Sequence, residues 1–336
     1  MNVLVVTNMY PSAARPDWGT FVRSQVESLG RLGVTNRLYE IEGWKSAMRY
    51  VRAWSELPAL ARREHADLVH AHYGLSGAAA MRVTAPLVVS FCGDDVLGRP
   101  DRNGAITAKS RLLVRLSLAA ARRADAVIVK SEEMRRCLPP LADVEVIPNG
   151  VDLARFTPLP RAEARRRLGW EGSGAVLLFA ANPNEPRKNF PLALEVERRL
   201  RERGHPVQLV AVHGRPQDEM ALAMSAADVL LLPSLHEGSP NVVKEAMAAA
   251  LPVVAAPVGD CAERLLGVTP GAVVAREPEA FVAAVEAVLA TGGRSNGRER
   301  IAPLELSAVA KRVLAVYERV LARRGGAVSS AREGHR

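Results

Sequence analysis

The chain has few aromatic residues, and this limits the kinds of core it can build. Phe, Trp and Tyr together make up 4% of the 336 residues, so the core must consist mainly of Leu, Val and Ala. That mixture is typical of helices packed on parallel strands and disfavours an all-β sandwich. The length predicts two domains or one large α/β unit, because a single domain usually has about 100–200 residues.

Cysteines, long apolar runs and a leader-like start are also scarce or missing. Cys92, Cys137 and Cys261 are odd in number, widely spaced and without a Cys-x-x-Cys pair, which argues against a disulfide framework or zinc site. We expect all three to be reduced and buried. No apolar run approaches the roughly 18–20 residues of a membrane-spanning helix, and residues 1–8 resemble a first strand more than a signal peptide. The sequence therefore predicts a cytoplasmic protein.

Acidic residues are outnumbered, since 45 Lys and Arg face 36 Asp and Glu to give a formal charge of +9. Such a balance favours polyanionic partners: nucleic acid, an anionic lipid surface or a phosphorylated substrate. No helix-turn-helix, zinc-finger or RNA-binding signature accompanies the charge. We therefore expect no nucleic-acid partner, and a non-catalytic nucleic-acid-binding protein remains the less favoured alternative.

Short β-branched runs alternate with helical stretches along the whole chain, the pattern of βαβ units. In the first half the predicted strands are 3–7, 68–71, 87–91, 126–129 and 144–147, with helices over 20–31 and 109–123. In the second half they are 175–180, 207–212, 229–232 and 253–256. The fold class predicted is α/β, with two Rossmann-like, doubly wound parallel sheets whose ligands bind beyond the carboxyl ends of the strands.

A Pro-rich and Gly-rich segment at 148–160 has the composition of a linker and suggests where the chain divides. We predict an N-terminal domain over 1–155 and a C-terminal domain over 156–305. A helix over 306–323 packs on either domain. The remaining residues, 324–336, are rich in Gly, Ser and Arg and are expected to form a frayed tail.

The most informative segment is 230–247, in which a buried strand runs into a short loop and then a helix. Ser239 is the expected N-cap and Pro240 the first helical residue. The amides that follow, including those of Asn241 and Val242, point outward with the positive end of the helix dipole. This arrangement predicts an anion site suited to a pyrophosphate.

Two glutamates flank this anion site, Glu237 in the loop and Glu245 on the second turn of the helix. Carboxylates in these positions suit hydroxyl groups better than phosphate. The segment resembles the Glu-x7-Glu signature of the retaining glycosyltransferases of GT-B fold, in particular family 4. The stretches that carry the resemblance, which extends to about Tyr317, are Tyr10-Pro11, Gly19-Thr20-Phe21-Val22, His70-Ala71-His72, Val146-Ile147-Pro148-Asn149-Gly150-Val151-Asp152, Glu237 to Met247, Leu251-Pro252-Val253-Val254-Ala255 and Val258-Gly259.

The resemblance implies transfer of a sugar from a nucleotide diphosphosugar to a hydroxyl, with retention of configuration and without a metal ion or cofactor. It also implies a cleft between an N-terminal acceptor domain and a C-terminal donor domain. Glu245 would then hold the donor ribose and Glu237 the transferred sugar. The loop and helix start that would face the β-phosphate comprise Gly238, Ser239, Asn241 and Val242.

The same resemblance supplies a basic pair and two residues of the first domain. Arg187 and Lys188 would stabilise the leaving diphosphate, whose charge grows as the glycosidic bond breaks. His72 would reach the donor sugar, and Gly19 would belong to a glycine loop. Ordinary interpretations remain open: a charged surface loop for Arg187 and Lys188, and a hydrogen-bonded strand-end histidine for His72.

Asp94 and Asp95 are adjacent carboxylates at the end of a predicted strand. Such pairs more often cap the next segment than bind an ion, so no metal site is predicted. The segment 44–58 mixes Trp and Tyr with Lys and Arg, which suits either a partly buried helix or one at an anionic membrane surface. The second option would place the protein on the inner face of the membrane with a lipid-linked acceptor, whereas the first leaves a glycan acceptor.

A nucleotide-sugar epimerase or hydrolase of the same fold is the alternative to a glycosyltransferase.

Overall fold

The computed structural model describes residues 1–99, 105–170, 172 and 174–333, with side chains up to residue 325 in the last helix. The chain forms two compact units. Unit 1 comprises Met1–Pro11, Trp18–Gly150 and Leu306–Arg336, and unit 2 comprises Ser12–Asp17 and Val151–Glu305. The main division therefore follows residue 150, five residues before the boundary that the sequence suggested at 155.

Unit 1 is a six-stranded, all-parallel sheet with helices between the strands, in the order β2-β1-β3-β4-β5-β6. Its elements are β1 (Asn2–Thr7), α1 (Thr20–Arg31), β2 (Thr35–Glu40), α2 (Met48–Arg63), β3 (Leu68–His72), α3 (Gly74–Ala80), β4 (Leu87–Ser90), α4 (Asp94–Leu97), α5 (Ala108–Arg123), β5 (Ala126–Val129), α6 (Glu132–Arg136) and β6 (Val144–Val146).

Strand β2 is absent from the sequence-based prediction. It lies at the edge of the sheet, pairs only with β1 among the described strands, and reads Thr-Asn-Arg-Leu-Tyr-Glu. Most of its residues are exposed, and Leu38 is 43% exposed. An edge strand needs no continuous apolar run, so the pattern that reveals buried parallel strands does not reveal this one.

The two faces of the unit 1 sheet differ in character. On β3, Val69 and Ala71 join the hydrophobic cluster that packs against α2 and α3. His70 and His72 alternate with them and therefore extend from the opposite face. Tyr317 of the last helix packs on this second face, where its ring lies 5.5 Å from that of His70.

Unit 2 is a five-stranded, all-parallel sheet in the order β11-β10-β9-β7-β8. Its elements are α7 (Arg161–Leu168), β7 (Ala175–Phe179), α8 (Phe190–Glu202), β8 (Val207–Ala211), α9 (Gln217–Ala226), β9 (Val229–Leu232), α10 (Asn241–Ala248), β10 (Val253–Ala255), α11 (Cys261–Arg264), β11 (Ala272–Val273), α12 (Pro278–Thr291) and α13 (Gly297–Ile301). The central strands are buried on both faces, as expected of a parallel sheet covered by helices. The predicted class, two α/β units with parallel sheets, is confirmed.

The last helix, α14 (Leu306–Glu333), follows unit 2 in the chain but belongs to unit 1, where it contacts α1. It continues past Arg323, the residue at which the sequence analysis ended it. The side chains of Arg319 and Arg323 pair with Asp143 of unit 1, at N–O distances of 2.7 Å.

The expectation that all three cysteines are buried was wrong. Cys261 is buried and Cys92 is half-buried, but Cys137 is exposed. Cys137 is the C-cap of α6, a helix of five residues that ends at the surface. Short surface helices bury little of their length, so a small apolar residue at their end is not drawn inside.

Candidate active site

In unit 2 the strand order reverses between β7 and β9, because β8 lies on one side of β7 and the remaining strands on the other. Doubly wound sheets bind their ligands beyond the strand ends at such a point. The loop after β7 carries Arg187 and Lys188, in the 3-10 helix Pro186–Lys188, and the loop after β9 carries Glu237. The topology thus brings these three predicted residues to one edge of the sheet.

Glu237 contacts both members of the basic pair. Lys188 Nζ lies 2.7 Å from Glu237 Oε1, and Arg187 Nη1 lies 2.9 Å from Oε2. The side chains of Arg187, Lys188 and Glu237 are 18%, 17% and 7% exposed. A carboxylate fixed in this way between two cations has little freedom to rotate, so its oxygens are oriented before any ligand arrives.

Hydrogen bonds to the backbone also hold the cluster of Arg187, Lys188 and Glu237. Leu235 N–H donates to Arg187 O at 2.8 Å, and Arg187 Nη1 also donates to His236 O at 3.1 Å. Asn189, in the left-handed region at φ +55°, donates from its side chain to Pro233 O at 3.1 Å. The two loops are therefore joined at several points on both sides of the switch point.

Electrostatics keeps Glu237 ionised. Burial acts to raise the pKa of Glu237, but the charges of Lys188 and Arg187 outweigh it and hold the pKa below its ordinary value. The carboxylate is therefore negative at neutral pH. It can accept hydrogen bonds from hydroxyl groups.

The helix after this loop begins one residue later than the sequence predicted. α10 starts at Asn241, with Pro240 in the N-cap position at φ −67° and ψ 118°, so the assignment of Ser239 as N-cap and Pro240 as first helical residue was wrong. Ser239 is one residue too early to cap the helix, and its Oγ lies 2.9 Å from Asp260 Oδ2 instead. Asn241 and Val242 are the first two helical residues.

The loop before α10 is held against the loop after β10. Gly259 has φ +53°, and a Cβ there would lie 2.6 Å from Gly238 O, so only glycine permits this approach. Beneath the loop, Lys244 Nζ donates to Ser239 Oγ at 3.0 Å and is 1% exposed. Buried contacts, and not a helix cap, therefore position Gly238 and Ser239.

Glu245, on the second turn of α10, contacts a residue that the sequence did not indicate. Gln217, at the start of α9, lies close enough to lower the pKa of Glu245 and accepts a 2.8 Å bond from Arg155 Nη1. Burial raises the pKa of Glu245 to about 7, against the opposing effects of Lys244, Gln217 and Arg155. Glu245 thus changes charge near neutral pH, whereas Glu237 does not.

Unit 1 has its own switch point, between β1 and β3. Gly19 follows β1 and is the N-cap of α1, at φ +71°, and a Cβ there would lie 2.4 Å from Met9 O. His72 is the last residue of β3. The two predicted residues of the first domain therefore lie at or beyond the carboxyl ends of the two strands at which the order reverses, and the remaining predicted residues lie in unit 2.

The two histidines of β3 have opposite surroundings. His70 Nδ1 lies 2.5 Å from Tyr317 Oη and His70 Nε2 lies 2.8 Å from Ser90 Oγ, so both of its nitrogens are hydrogen-bonded. His72 is 1% exposed, and neither of its nitrogens has a partner among the described residues. The two rings are 4.2 Å apart.

Burial decides the charge of these rings. It lowers the pKa of His70 to about 3, with a further contribution from Lys130. Burial, His70 and Lys130 together hold the pKa of His72 well below its ordinary value. Both imidazoles are therefore neutral at pH 7, so His72 carries one N–H donor and one nitrogen acceptor.

The sequence analysis missed Lys130, which follows β5 and is 2% exposed. Burial lowers its pKa to about 8. One basic residue among 45 gives no sequence signal of this kind, because only the fold shows that it is buried. The prediction that Asp94 and Asp95 cap the next segment was wrong, because α4 has no side-chain cap; the Asp95 carboxylate instead accepts hydrogen bonds from the amides of Cys92, Gly93 and Gly74 at 2.8–3.1 Å.

In the segment 44–58, one aromatic side chain is hydrogen-bonded to the rest of unit 1 and another is exposed. Asn8 Nδ2 donates to Tyr50 Oη at 2.8 Å, so one aromatic side chain is tied to the loop after β1. Trp54 is 43% exposed and stacks against Arg82 at 4.4 Å. Across the described residues, no helix has both the length and the apolar composition that a membrane crossing requires.

Known proteins match the chain over most of its length. The model of Glycosyltransferase Family 4 matches residues 2–155, and that of Glycosyl transferases group 1 matches residues 195–291. The D-inositol 3-phosphate glycosyltransferase of Geodermatophilus obscurus is 31% identical over 67% of this chain. The chain spans only 60% of that relative's length.

Two further proteins extend the comparison. The putative teichuronic acid biosynthesis glycosyltransferase TuaC of Bacillus subtilis is 26% identical over 77% of this chain and 82% of its own length. Among solved structures, the sucrose-phosphate synthase of Thermosynechococcus elongatus matches with a TM-score of 0.78 and 20% identity, covering 96% of this chain and all of that one. The resemblance inferred from the sequence is confirmed: this chain has the GT-B fold and belongs to the family 4, or group 1, glycosyltransferases.

Proposed function

We propose that this protein transfers a sugar from a nucleotide diphosphosugar to a hydroxyl acceptor with retention of configuration. The observation that carries the proposal is the contact of Glu237 with both Arg187 and Lys188 at the switch point of unit 2. It joins a hydroxyl-binding carboxylate to the cations that a departing diphosphate needs. Membership of family 4 supports the same reaction class.

Each residue of unit 2 has a defined task in this proposal. Arg187 and Lys188 stabilise the charge that develops on the β-phosphate as the bond from the sugar breaks. Glu237 accepts hydrogen bonds from hydroxyls of the transferred sugar, and its place between the cations fixes its orientation. Glu245 holds the ribose hydroxyls. The first amides of α10 face the phosphates.

In unit 1, His72 donates or accepts one hydrogen bond at the sugar, as a neutral imidazole. Its nitrogens have no partner among the described residues, so a hydroxyl can bind without displacing an existing contact. Gly19 lets the loop after β1 pack closely against the start of α1, because a Cβ there would collide with the backbone of Met9. The donor and acceptor need no cofactor in this scheme.

The test is an assay with UDP-, GDP- and ADP-sugars that separates new glycoside, free sugar and isomerised sugar. We expect glycoside with retained configuration, and only with an acceptor present. Arg187→Ala and Lys188→Ala should each lower kcat by about 10²–10³-fold, the usual effect of losing one transition-state donor. Arg166→Ala, an exposed residue of the same unit, is the matched control. Isomerised sugar as the sole product would establish the epimerase alternative.

We also propose that α2 rests on an anionic lipid surface, so that the acceptor is a lipid-linked glycan. Met48, Val51 and Trp54 are 67%, 56% and 43% exposed, and Arg49 and Arg52 lie on the same helix. An exposed apolar face bordered by arginines suits a bilayer interface. Sedimentation with vesicles containing anionic lipid should fall for Trp54→Ser with Met48→Ser, and equal sedimentation would contradict the proposal.

A further inference from the structure

A cavity lies at the amino edge of the unit 2 sheet, the edge opposite the candidate active site. Its volume of about 330 Å³ falls in the range of small-molecule sites. Its wall includes Ala175 and Val207, the first residues of β7 and β8, and Asp228, which directly precedes β9. The loops that carry the basic pair and Glu237 follow the other ends of β7 and β9. The cavity is therefore separate from that cluster.

Three arginines lie at this cavity. Arg161 and Arg165 are one turn apart on α7, and both line the wall. Arg294 directly follows two further lining residues, Gly292 and Gly293. Burial and the charges of Arg161 and Arg165 lower the pKa of Arg294 to about 10, so it is still a cation at neutral pH. Three positive charges are thus close enough to repel one another.

One carboxylate offsets these charges. Asp228 Oδ1 lies 2.8 Å from Arg161 Nη1, and Asp228 Oδ2 lies 2.6 Å from Arg165 Nη2. Asp228 Oδ2 also accepts the Val176 amide at 2.6 Å, so both oxygens are already engaged. Arg294 donates to backbone carbonyls at the end of α9 and forms no ion pair within the described residues. Three arginines against one aspartate leave the cluster with an excess of positive charge.

Arg161 has N–H donors that its neighbours do not use. Its side chain is 32% exposed, and Asp228 is its sole ion-pair partner in the part of the chain that the structure describes. Its Nε is buried without an acceptor there, whereas the Nε of Arg165 donates to a backbone carbonyl at 3.0 Å. His205, the remaining titratable residue of the wall, contacts Glu286 at 3.1 Å. Unused guanidinium donors beside excess positive charge suit an oxyanion.

We propose that this cavity is a second anion site, which binds the phosphate group of a small molecule through Arg161, with Arg165 and Arg294 adding positive charge. The bound group supplies the negative charge that the cluster lacks, and a guanidinium bonds two phosphate oxygens at once. Free phosphate and a phosphorylated sugar share this chemistry. The site goes beyond the proposed sugar transfer, because it lies at the opposite ends of the same strands.

The test is titration calorimetry of the full chain with inorganic phosphate, glucose 6-phosphate or glucose, in chloride buffer of constant ionic strength. Both phosphate ligands should bind and glucose should not. Equal affinity for the two identifies the phosphate group alone as the ligand, whereas tighter binding of glucose 6-phosphate identifies a phosphorylated sugar. Phosphate is also expected to contact Arg187 and Lys188, so variants of the cavity are needed to locate the binding.

Gly293 allows the charge of the cavity to be changed without altering an arginine. A Cβ at Gly293 meets only Thr291 O, at 3.8 Å, so there is room for a side chain. Gly293→Asp adds a carboxylate to the wall and should weaken phosphate binding there by at least about tenfold, because it repels the ligand. Gly293→Asn has the same size without the charge, and its Kd should match that of the wild type.

Arg161→Met should cause the same loss as Gly293→Asp. Arg167→Met is its control, because Arg167 lies on the same helix, is 55% exposed and is not among the residues that line the cavity. If Arg161→Met does not fold, Gly293→Asp still tests the site, since it leaves the contacts of the arginines with Asp228 in place.

Equal phosphate affinity in Gly293→Asp and Gly293→Asn would overturn the proposal, and so would a wild type that binds neither phosphate ligand. Failure of the proposed function gives a different result, the absence of transfer from any nucleotide sugar. That result would leave the comparison of the Gly293 variants unchanged, because they alter only the amino edge of the sheet.

Discussion

The switch points of the two units differ in whether their polar side chains are paired. In unit 2, the Glu237 carboxylate lies within 2.9 Å of both Arg187 and Lys188, so each charge meets an opposite one. In unit 1, His72 is neutral with both nitrogens unpartnered in the described part of the chain, and Lys130 is buried without a contacting counter-ion there.

The two arrangements prepare a ligand-binding site in different ways. Paired charges stabilise one another and stay oriented without a ligand, so a variant that removes one of them harms both folding and binding. Unpaired buried groups cost folding free energy and recover it only when a ligand contacts them. In unit 2, Arg187, Lys188 and Glu237 should therefore matter for both stability and activity, whereas His72 of unit 1 should matter for activity alone.

The largest effect is expected from Glu237→Gln, which leaves two cations facing a neutral amide. The side chains of the cluster are less than a fifth exposed, so the free energy of unfolding should fall by about 3 kcal/mol. Sugar transfer should fall by at least about 100-fold. Urea unfolding and initial rates measure the two quantities.

Glu299→Gln is the control for this variant, because Glu299 is an exposed glutamate of the same unit. It should change neither quantity. Normal stability of Glu237→Gln would mean that the pairing seen at the switch point contributes nothing to the fold, and the contrast between the units would disappear.

His72→Phe should separate stability from activity. It keeps a ring of similar size and removes two buried, unpartnered nitrogens, so the free energy of unfolding should rise by about 1 kcal/mol. Transfer should fall by about 100-fold, because the sugar loses its contact with the imidazole. The loss should be the same from pH 6 to 8, since the low pKa of His72 keeps the ring neutral throughout.

The control is His213→Phe, which alters an exposed histidine. It should leave stability and rate unchanged. A large loss of stability in His72→Phe would show that this ring supports the fold, in contradiction to the comparison between the units.

Glu245 should make the behaviour of unit 2 depend on pH. Its folded pKa of about 7 exceeds the ordinary 4.5, so the folded protein retains a proton that the unfolded chain releases. The stabilisation is complete below about pH 4.5 and is lost as the pH rises through 7. Donor affinity should change in the opposite direction, since the ionised carboxylate binds hydroxyls more strongly.

Glu245→Gln removes this titration. Urea unfolding at pH 5 and pH 8 should show that the wild type loses about 1–2 kcal/mol relative to the variant over that interval, because Glu245 is only half-buried. Parallel pH profiles for the two proteins would indicate an ordinary pKa for Glu245.

The smallest effect is expected from Tyr317→Phe, which removes the hydroxyl that contacts His70 Nδ1 at 2.5 Å. A buried nitrogen then lacks its partner, at a cost of about 1 kcal/mol. Ser90→Ala removes the other contact of His70, and the double variant should be less than additive because both bonds share one ring. Thermal unfolding of the two single variants and the double variant gives these values.

Regular patterns made much of the fold predictable. The buried strands could be read from the sequence because parallel strands covered on both faces are continuously apolar, as in β5 and β9. The start of α10 was missed by one residue, since Ser239 bonds to Asp260 and that partner is remote in sequence. The sequence did not indicate Lys130 or Gln217, because burial marks the first and a contact with Arg155 marks the second, and both depend on the fold.

The amino-acid sequence by itself determined the α/β class, the family and the glutamates of its signature, because local periodicity and fixed spacing are properties of the chain alone. Only the tertiary structure decided which cations meet Glu237, which histidine of β3 has no partner among the described residues, and that the basic residue after β5, Lys130, is buried. The physical reason is strand order: switch points join loops far apart in sequence, and burial sets the charge of each group that they enclose.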